Sequence, residues 1–151
     1  MRVVLQRVSE ASVSVEHEVV GMIGSGLLVL LGISHGDDQP DADYLVQKIS
    51  QMRLFGDEAG KMNLSVHDEN GDIMVISQFT LYAKTKKGNR PSFIEAARPD
   101  KAIPLYKYFV EKMEETIKKK VQTGIFGADM KVKLINDGPV TIFLDSHNKD
   151  L

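Results

Sequence analysis

The stretch IMVISQFTLYAKTKKGNRPSF, residues 73–93, holds the sharpest change of character in the chain. Four apolar residues, Ile73 to Ile76, carry the signature of a short buried strand. At Ser77-Gln78 the chain turns polar, passes Phe79 and Thr80, and returns to Leu81-Tyr82. A basic loop with Lys84, Lys86, Lys87, Gly88, Asn89 and Arg90 follows. A buried strand that delivers hydroxyl and amide groups at its end, beside a cationic loop, suits a site for an anionic substrate. Serine and threonine are also ordinary at strand ends, and lysine-rich loops are ordinarily just solvated. Strict alternation would send Ser77 and Phe79 to one face and Gln78 and Thr80 to the other. Either one pair is functional, or backbone N–H groups matter more than side chains, or the strand ends or bulges here, as strands beside active sites do.

On the N-terminal side of this stretch the chain reads mostly as sheet. Residues 2–8 and 11–15 are strands, the second with Ala11, Val13 and Val15 alternating against Ser12 and Ser14. Glu16-His17-Glu18 is the turn to a partner strand, Val19 to Ile23, and Leu27 to Ile33 is a fully buried strand after Gly24-Ser25-Gly26. Asp37-Asp38-Gln39-Pro40 starts a helix, with an acidic cap and a proline in the first turn. Its apolar face is Ala42, Leu45, Val46, Ile49 and Met52. Gly56 to Gly60 ends that segment, and Lys61 to Asp72 is a loop with room for one short strand.

On the C-terminal side, Ser92 and Glu95 have capping-box spacing, which predicts a short helical turn at 92–97. A longer helix follows Pro104, burying Tyr106, Phe109, Val110, Met113 and Ile117. Gly124 and Gly127 break the chain. Lys131 to Ile135 and Val140 to Asp145 read as two final strands, with Asn136-Asp137-Gly138-Pro139 between them. The composition of that segment favours a hairpin turn, although proline sits badly at the start of a paired strand and X-Pro in a tight turn is where cis peptides occur. The pattern predicts one α+β domain over residues 1–151: mostly antiparallel β-sheets in layers, with the two main helices on one side.

Composition narrows the chemistry. A chain of 151 residues buries roughly 68–70% of its unfolded surface and needs no staple. It has no cysteine, which removes thiolate nucleophiles, disulfides and cysteine metal sites, and fits a reducing compartment. The N-terminus lacks a signal-peptide apolar core, and the longest apolar run is too short to span a membrane. A net charge of −2 gives no bulk attraction for nucleic acid, so RNA contact must come from patches such as 84–90, or Lys118-Lys119-Lys120 with Lys131 and Lys133. There is no Gly-x-Ser-x-Gly elbow, P-loop or His-Glu-x-x-His. His17, His35, His67 and His147 are scattered in turns and ends, which predicts exposed, non-catalytic side chains and no metal pair. No general base is visible, so a hydrolase built on this chain would take its base from the substrate or from water held by backbone groups.

Ser77-Gln78-Phe79-Thr80-Leu81 and Asn136-x-Gly138-Pro139-x-Thr141 resemble the two signature motifs of the D-aminoacyl-tRNA deacylases. The likeness extends to MRVVLQRV at 1–8, GLLVLLGI at 26–33, and the segments 60–65, 88–93 and 126–130, so it covers nearly the whole chain. The resemblance implies a cytoplasmic homodimer that hydrolyses the ester between tRNA and a D-amino acid or glycine, without metal or organic cofactor. It implies a catalytic segment of Ser77, Gln78, Phe79 and Thr80. It also implies a chiral filter and substrate pocket drawing on Gly138, Pro139, Asn136, Arg7, Phe126 and Met130, with a Gly-cisPro pair reaching in from the partner subunit. Lys86, Lys87 and Arg90 are the expected tRNA contacts. An aminoacyl ester is already activated and its neighbouring ribose hydroxyl can orient water, so such a site needs mainly positioning and an oxyanion hole. The N–H groups near Phe79 and Thr80 are the candidates for that hole. Thr80 as nucleophile is the alternative, but no paired base is visible to activate it. A non-catalytic RNA-end-binding module and a purely structural dimer are the competing classes. The first would call for a broader basic surface and stacking aromatics, whereas the chain has no tryptophan.

Overall fold

A computed structural model describes residues 1–151. The apolar run at 73–76 is the middle of a strand spanning Asp72–Ser77, and all four of its residues are buried. Burial is two-sided. Ile73 and Val75 join the main core, while Met74 and Ile76 join a second cluster across the sheet. The same holds for the strand Gly26–Gly32, where Leu27, Val29 and Leu31 face one core and Leu28 the other. These two strands pair in parallel, Leu27 beside Ile73 and Leu31 beside Ser77. Continuous apolar runs are what a strand covered on both faces requires.

In chain order the elements are β1 (Arg2–Val15), β2 (Glu18–Ile23), β3 (Gly26–Gly32), α1 (Gln39–Gln51), β4 (Phe55–Gly56), β5 (Met62–Leu64) and β6 (Asp72–Ser77). A 3-10 turn (Phe79–Tyr82), α2 (Pro99–Ile117), β7 (Gln122–Thr123) and β8 (Lys131–Asp145) complete them. The main sheet runs β2-β1-β3-β6-β7, with β8 also paired to β1. The β1 pairings are antiparallel and those of β3 with β6 and β6 with β7 parallel. β2 also touches β6 and β7, so the sheet curls nearly into a barrel around the second cluster. β4 and β5 form a separate antiparallel pair.

Two strand expectations are corrected. Residues 2–8 and 11–15 form a single strand, with a register irregularity around Ser9. Val3 and Leu5 face the helices, whereas Val8, Ala11 and Val13 face the second core. The irregularity between Val8 and Glu10 moves the side facing the second core from even to odd residues, which the sequence pattern presents as a break. Residues 131–135 and 140–145 are likewise one strand, since both halves pair with β1 in the same direction. Asn136–Pro139 is therefore no hairpin. Gln6 pairs with Thr141 and Val8 with Asn136, leaving residues 137–140 arched outward opposite the single residue Arg7.

The helices lie on one side of the sheet, as expected for this α+β class. α1 starts as expected, with the Asp38 N–H bonded to the Asp41 carboxylate at 2.9 Å, and buries Ala42, Leu45, Val46 and Ile49. α2 begins at Pro99, ahead of the expected start after Pro104, and contains that proline. A proline inside a helix removes one backbone bond without ending it when packing holds the turn. Here Ala102, Leu105 and Tyr106 are buried on either side of it, and the Tyr106 hydroxyl donates to the Val75 carbonyl at 2.7 Å. No helix forms at 92–97, only a single turn in which the Ala96 N–H reaches the Phe93 carbonyl at 3.1 Å. Ser92 and Ala96 instead make isolated bridges to Lys84 and Ser34. No helix is long and apolar enough to cross a membrane.

Candidate active site

β6 ends at Ser77, where the hydrogen-bonding direction changes. The Gln78 N–H still reaches the Leu31 carbonyl, at 2.8 Å, and the chain then winds into the 3-10 turn. The Leu81 N–H closes on the Gln78 carbonyl at 3.2 Å, and the Ala83 N–H on the Thr80 carbonyl at 3.1 Å. The first N–H groups of a helical turn have no partner within it. Those of Phe79 and Thr80 have none elsewhere in the chain. The strand ending resolves the alternation problem, because Ser77, Gln78 and Phe79 now line one cavity together. Thr80 is exposed beyond its rim and its hydroxyl accepts from the Gln78 side-chain amide. No histidine, lysine or carboxylate bonds to Thr80.

The cavity has a volume of about 270 Å³. Leu31, Ile33 and Ile76 form its sheet side, and Ala97 and Ala102 close it near the start of α2. Residues 126–130 and Val132 make the facing wall, which includes the expected Phe126 and Met130. Phe126 packs edge-on against Tyr106 at 5.7 Å between ring centroids, and Phe79 against Phe93 at 5.1 Å. Asp129 is the one ionisable group on the wall; it is exposed and paired with Lys131 at 3.1 Å. Ala97, Ala102 and the Gly127–Asp129 segment join the site without having stood out in the sequence as site residues. Small residues at a cavity wall serve by leaving space, which leaves no periodic or chemical signal.

Arg2 ties the 3-10 turn to the strands. Its guanidinium donates to the Leu81 carbonyl at 3.0 Å and the Asp145 carboxylate at 2.9 Å, and lies 4.6 Å from the Tyr82 ring centre. Burial works to raise the Asp145 carboxyl, but the His147 N–H and the Arg2 guanidinium outweigh it and hold that carboxyl below its ordinary value.

The second group of expected residues is built on the β8 arch. The Gly138–Pro139 peptide is cis. Asn136 braces the arch from within: its side-chain oxygen accepts from the Val140 N–H at 2.8 Å, and its amide donates to the Val140 carbonyl at 3.1 Å and the Thr141 hydroxyl at 3.2 Å. From β1, Arg7 donates to the Asp137 carbonyl at 2.8 Å and the Leu54 carbonyl at 2.5 Å. Gly138 has φ +152°, and a Cβ there would sit 2.7 Å from Val140 Cγ2 and 3.3 Å from Arg7 Nη2. Gly138 and Pro139 are exposed and do not line the cavity of their own chain. Within one chain, then, Ser77, Gln78, Phe79, Phe126 and Met130 come together at the cavity, while Arg7, Asn136, Gly138 and Pro139 form a separate surface feature.

Lys86, Lys87 and Arg90 are exposed on a loop closed by two backbone bonds between Lys84 and Ser92, 2.8 and 3.0 Å, and none of the three forms an ion pair. All four histidines are exposed. His147 approaches Asp37 and Asp41, and ligand atoms of these three lie within 4.8 Å of one another. The Asp37 carboxylate is already engaged by the Met1 ammonium at 2.5 Å, the Ser34 N–H at 2.7 Å and His147 at 2.8 Å, so the cluster reads as an anchor for the N-terminus.

A family model described as D-Tyr-tRNA(Tyr) deacylase matches residues 4–145. A Flavobacterium johnsoniae protein named D-aminoacyl-tRNA deacylase is 61% identical over 150 residues, which is 99% of this chain and 100% of that protein. Among solved structures, one described as c-Myc DNA Unwinding Element Binding Protein superposes with a TM-score of 0.91 at 44% identity, covering 96% of this chain and 98% of its own. Another, described as a probable eukaryotic D-amino acid tRNA deacylase, has a TM-score of 0.82 at 17% identity, covering 95% and 97%, and is a likeness of fold.

Proposed function

The chain belongs to the D-Tyr-tRNA(Tyr) deacylase family, and from that premise we propose how its residues carry out the reaction. It is a D-aminoacyl-tRNA deacylase, a carboxylic ester hydrolase with aminoacyl-tRNA as substrate. Residues 1–151 act as one deacylase domain. The 3′ end of the tRNA enters the cavity at Ser77–Phe79 with its ester carbonyl at the lip. Water attacks that carbonyl carbon, and the negative charge gathers on the carbonyl oxygen. The uncommitted N–H groups of Phe79 and Thr80 stabilise it there, because prealigned dipoles need no reorganisation as charge develops. The bond to the ribose oxygen then breaks, releasing the D-amino acid and a ribose hydroxyl.

The observation that carries this reading is the pairing of two free N–H groups with a cavity wall that lacks a usable base. The neighbouring hydroxyl of the terminal ribose therefore orients the water, and the proton moves between water and tRNA rather than through a side chain. Two chains assemble so that the Gly138–Pro139 arch of one covers the cavity of the other. With no side chain at Gly138, the arch approaches the substrate α-carbon closely, leaving room for hydrogen where an L residue would put its side chain. Selection then works by exclusion of the L form, which accounts for tolerance of many D residues and of glycine. Incubation of the purified protein with D-tyrosyl-, L-tyrosyl- and glycyl-tRNA tests the reading. The D and glycyl esters are cleaved and the L ester is spared; equal cleavage of the L ester would overturn the filter.

A second reading, nucleic-acid binding without hydrolysis, draws on the description of the relative that is 44% identical. The deacylase family match over residues 4–145 argues against it. Retention of D-tyrosyl-tRNA with no release of amino acid in the same assay would favour it.

A further inference from the structure

Gly124 follows β7 directly and stands behind the cavity wall, outside the residues that line it. A Cβ at this position would overlap the Met130 sulfur, and would sit 3.4 Å from both Ile76 Cδ1 and Val13 Cγ2. The backbone φ of Gly124 lies outside the left-handed region, so alanine meets no conformational barrier there. What the glycine supplies is space, and the thioether of Met130 occupies it. Met130 has two neighbourhoods. It packs against the second core that contains Val13 and Ile76, and it lines the cavity beside Phe126. Met130 is half-buried and lines the cavity, so the cavity is open space next to a thioether pushed off Gly124.

We propose that Gly124 is a specificity-determining positioning residue: by lacking a side chain it seats Met130 back from the cavity and so fixes the room left for the 3′ aminoacyl end of the tRNA. This rests on the cavity being the place where that end binds. Core packing resists even small displacements of volume, yet an unbranched methionine is the side chain best able to move. The fold of Gly124→Ala therefore survives while its cavity shrinks.

The test uses full-length wild type, Gly124→Ala, Met130→Ala and the double variant. KM and kcat are measured on D-tyrosyl-tRNA, and the Met130 methyl resonance is followed in protein labelled with [methyl-13C]methionine. Gly124→Ala should shift the Met130 methyl resonance and lower kcat/KM by roughly tenfold or more, mainly through KM, as expected when one group's volume is misplaced in a binding pocket. In the Met130→Ala background the same glycine change should be nearly silent, within about threefold, because there is no thioether left to displace. A Gly124→Ala enzyme with unchanged kcat/KM would overturn the proposal. So would an equal penalty from the glycine change with and without Met130. If Gly124→Ala alone does not fold, the comparison of Met130→Ala with the double variant still decides, since truncating Met130 relieves the overlap. A wild type that fails to hydrolyse D-tyrosyl-tRNA sinks the functional reading, whereas the methyl shift tests the seating of Met130 on its own.

Discussion

Thr80 is the residue whose role the local geometry constrains most. Its hydroxyl is held by the Gln78 amide, and nothing basic reaches it. Thr80→Ala should therefore keep deacylation within about tenfold of wild type. Loss of a nucleophile would exceed the roughly 10²–10⁴-fold that even one proton-transfer group supplies. Rapid quench with labelled D-tyrosyl-tRNA checks this, and an acyl group trapped on Thr80 would reverse the assignment. Asp145 offers a second test at this scale. Its folded carboxyl is held below the ordinary aspartate value of about 3.9. The stability it contributes is whole above that value and is lost as pH falls through the lower folded one. Asp145→Asn should thus lower Tm at neutral pH and flatten the acid limb from about pH 5 downward, followed by calorimetry; two parallel limbs would show that the ionised Asp145 contributes nothing to that limb. Some of this is legible in the sequence. The four-residue motif and its alternation conflict stand there, and one 3-10 turn resolves it. Which N–H groups stay free is not legible, because that depends on where the neighbouring strand stops.

Elements differ in how much of themselves they announce. α1 carries its cap, its proline and its apolar stripe in consecutive letters, and all three are realised. β8 misleads because Asn-Asp-Gly-Pro is turn chemistry in isolation, and only the partner strand tells whether the chain reverses. The arch it forms is braced from within by Asn136 and tied to the rest of the fold by Arg7, which reaches both Asp137 in the arch and Leu54 outside it. Arg7→Met keeps the side-chain stem but leaves both carbonyls without a charged donor, each bond worth roughly 1.5–3 kcal/mol at most in this half-buried setting. The arch should then loosen, with faster amide exchange at Val140 and hydrolysis of L-tyrosyl-tRNA raised at least several-fold. Unchanged D/L discrimination with a loosened arch would separate the arch from chirality altogether.

For the whole molecule the issue is how a chain of net charge −2 holds a polyanion. Lys86, Lys87 and Arg90 are free of ion-pair partners, which leaves them available for phosphates. Replacing all three with glutamine should weaken tRNA binding and reduce the slope of log affinity against log salt by about 0.7–0.9 for each phosphate no longer neutralised. Filter binding across a salt series reads it; an unchanged slope would return the loop to a solvated surface. The α+β class, the two helices and most strands are legible from pattern alone. The curl of the sheet is not, since it arises from β2 meeting β6 and β7, an approach between segments that no local window spans.

The pairing of β1 with β8 also sets a timetable. β1 leaves the ribosome well before β8. At about 5–20 residues per second, the hundred or so residues between them take on the order of ten seconds to make. Through that interval one edge of a fourteen-residue strand has no partner within its own chain. A long bare edge invites pairing with other chains. A message cut short before β8 yields a product that is not merely inactive but adhesive, and the final strand serves the cell as the seal on the first.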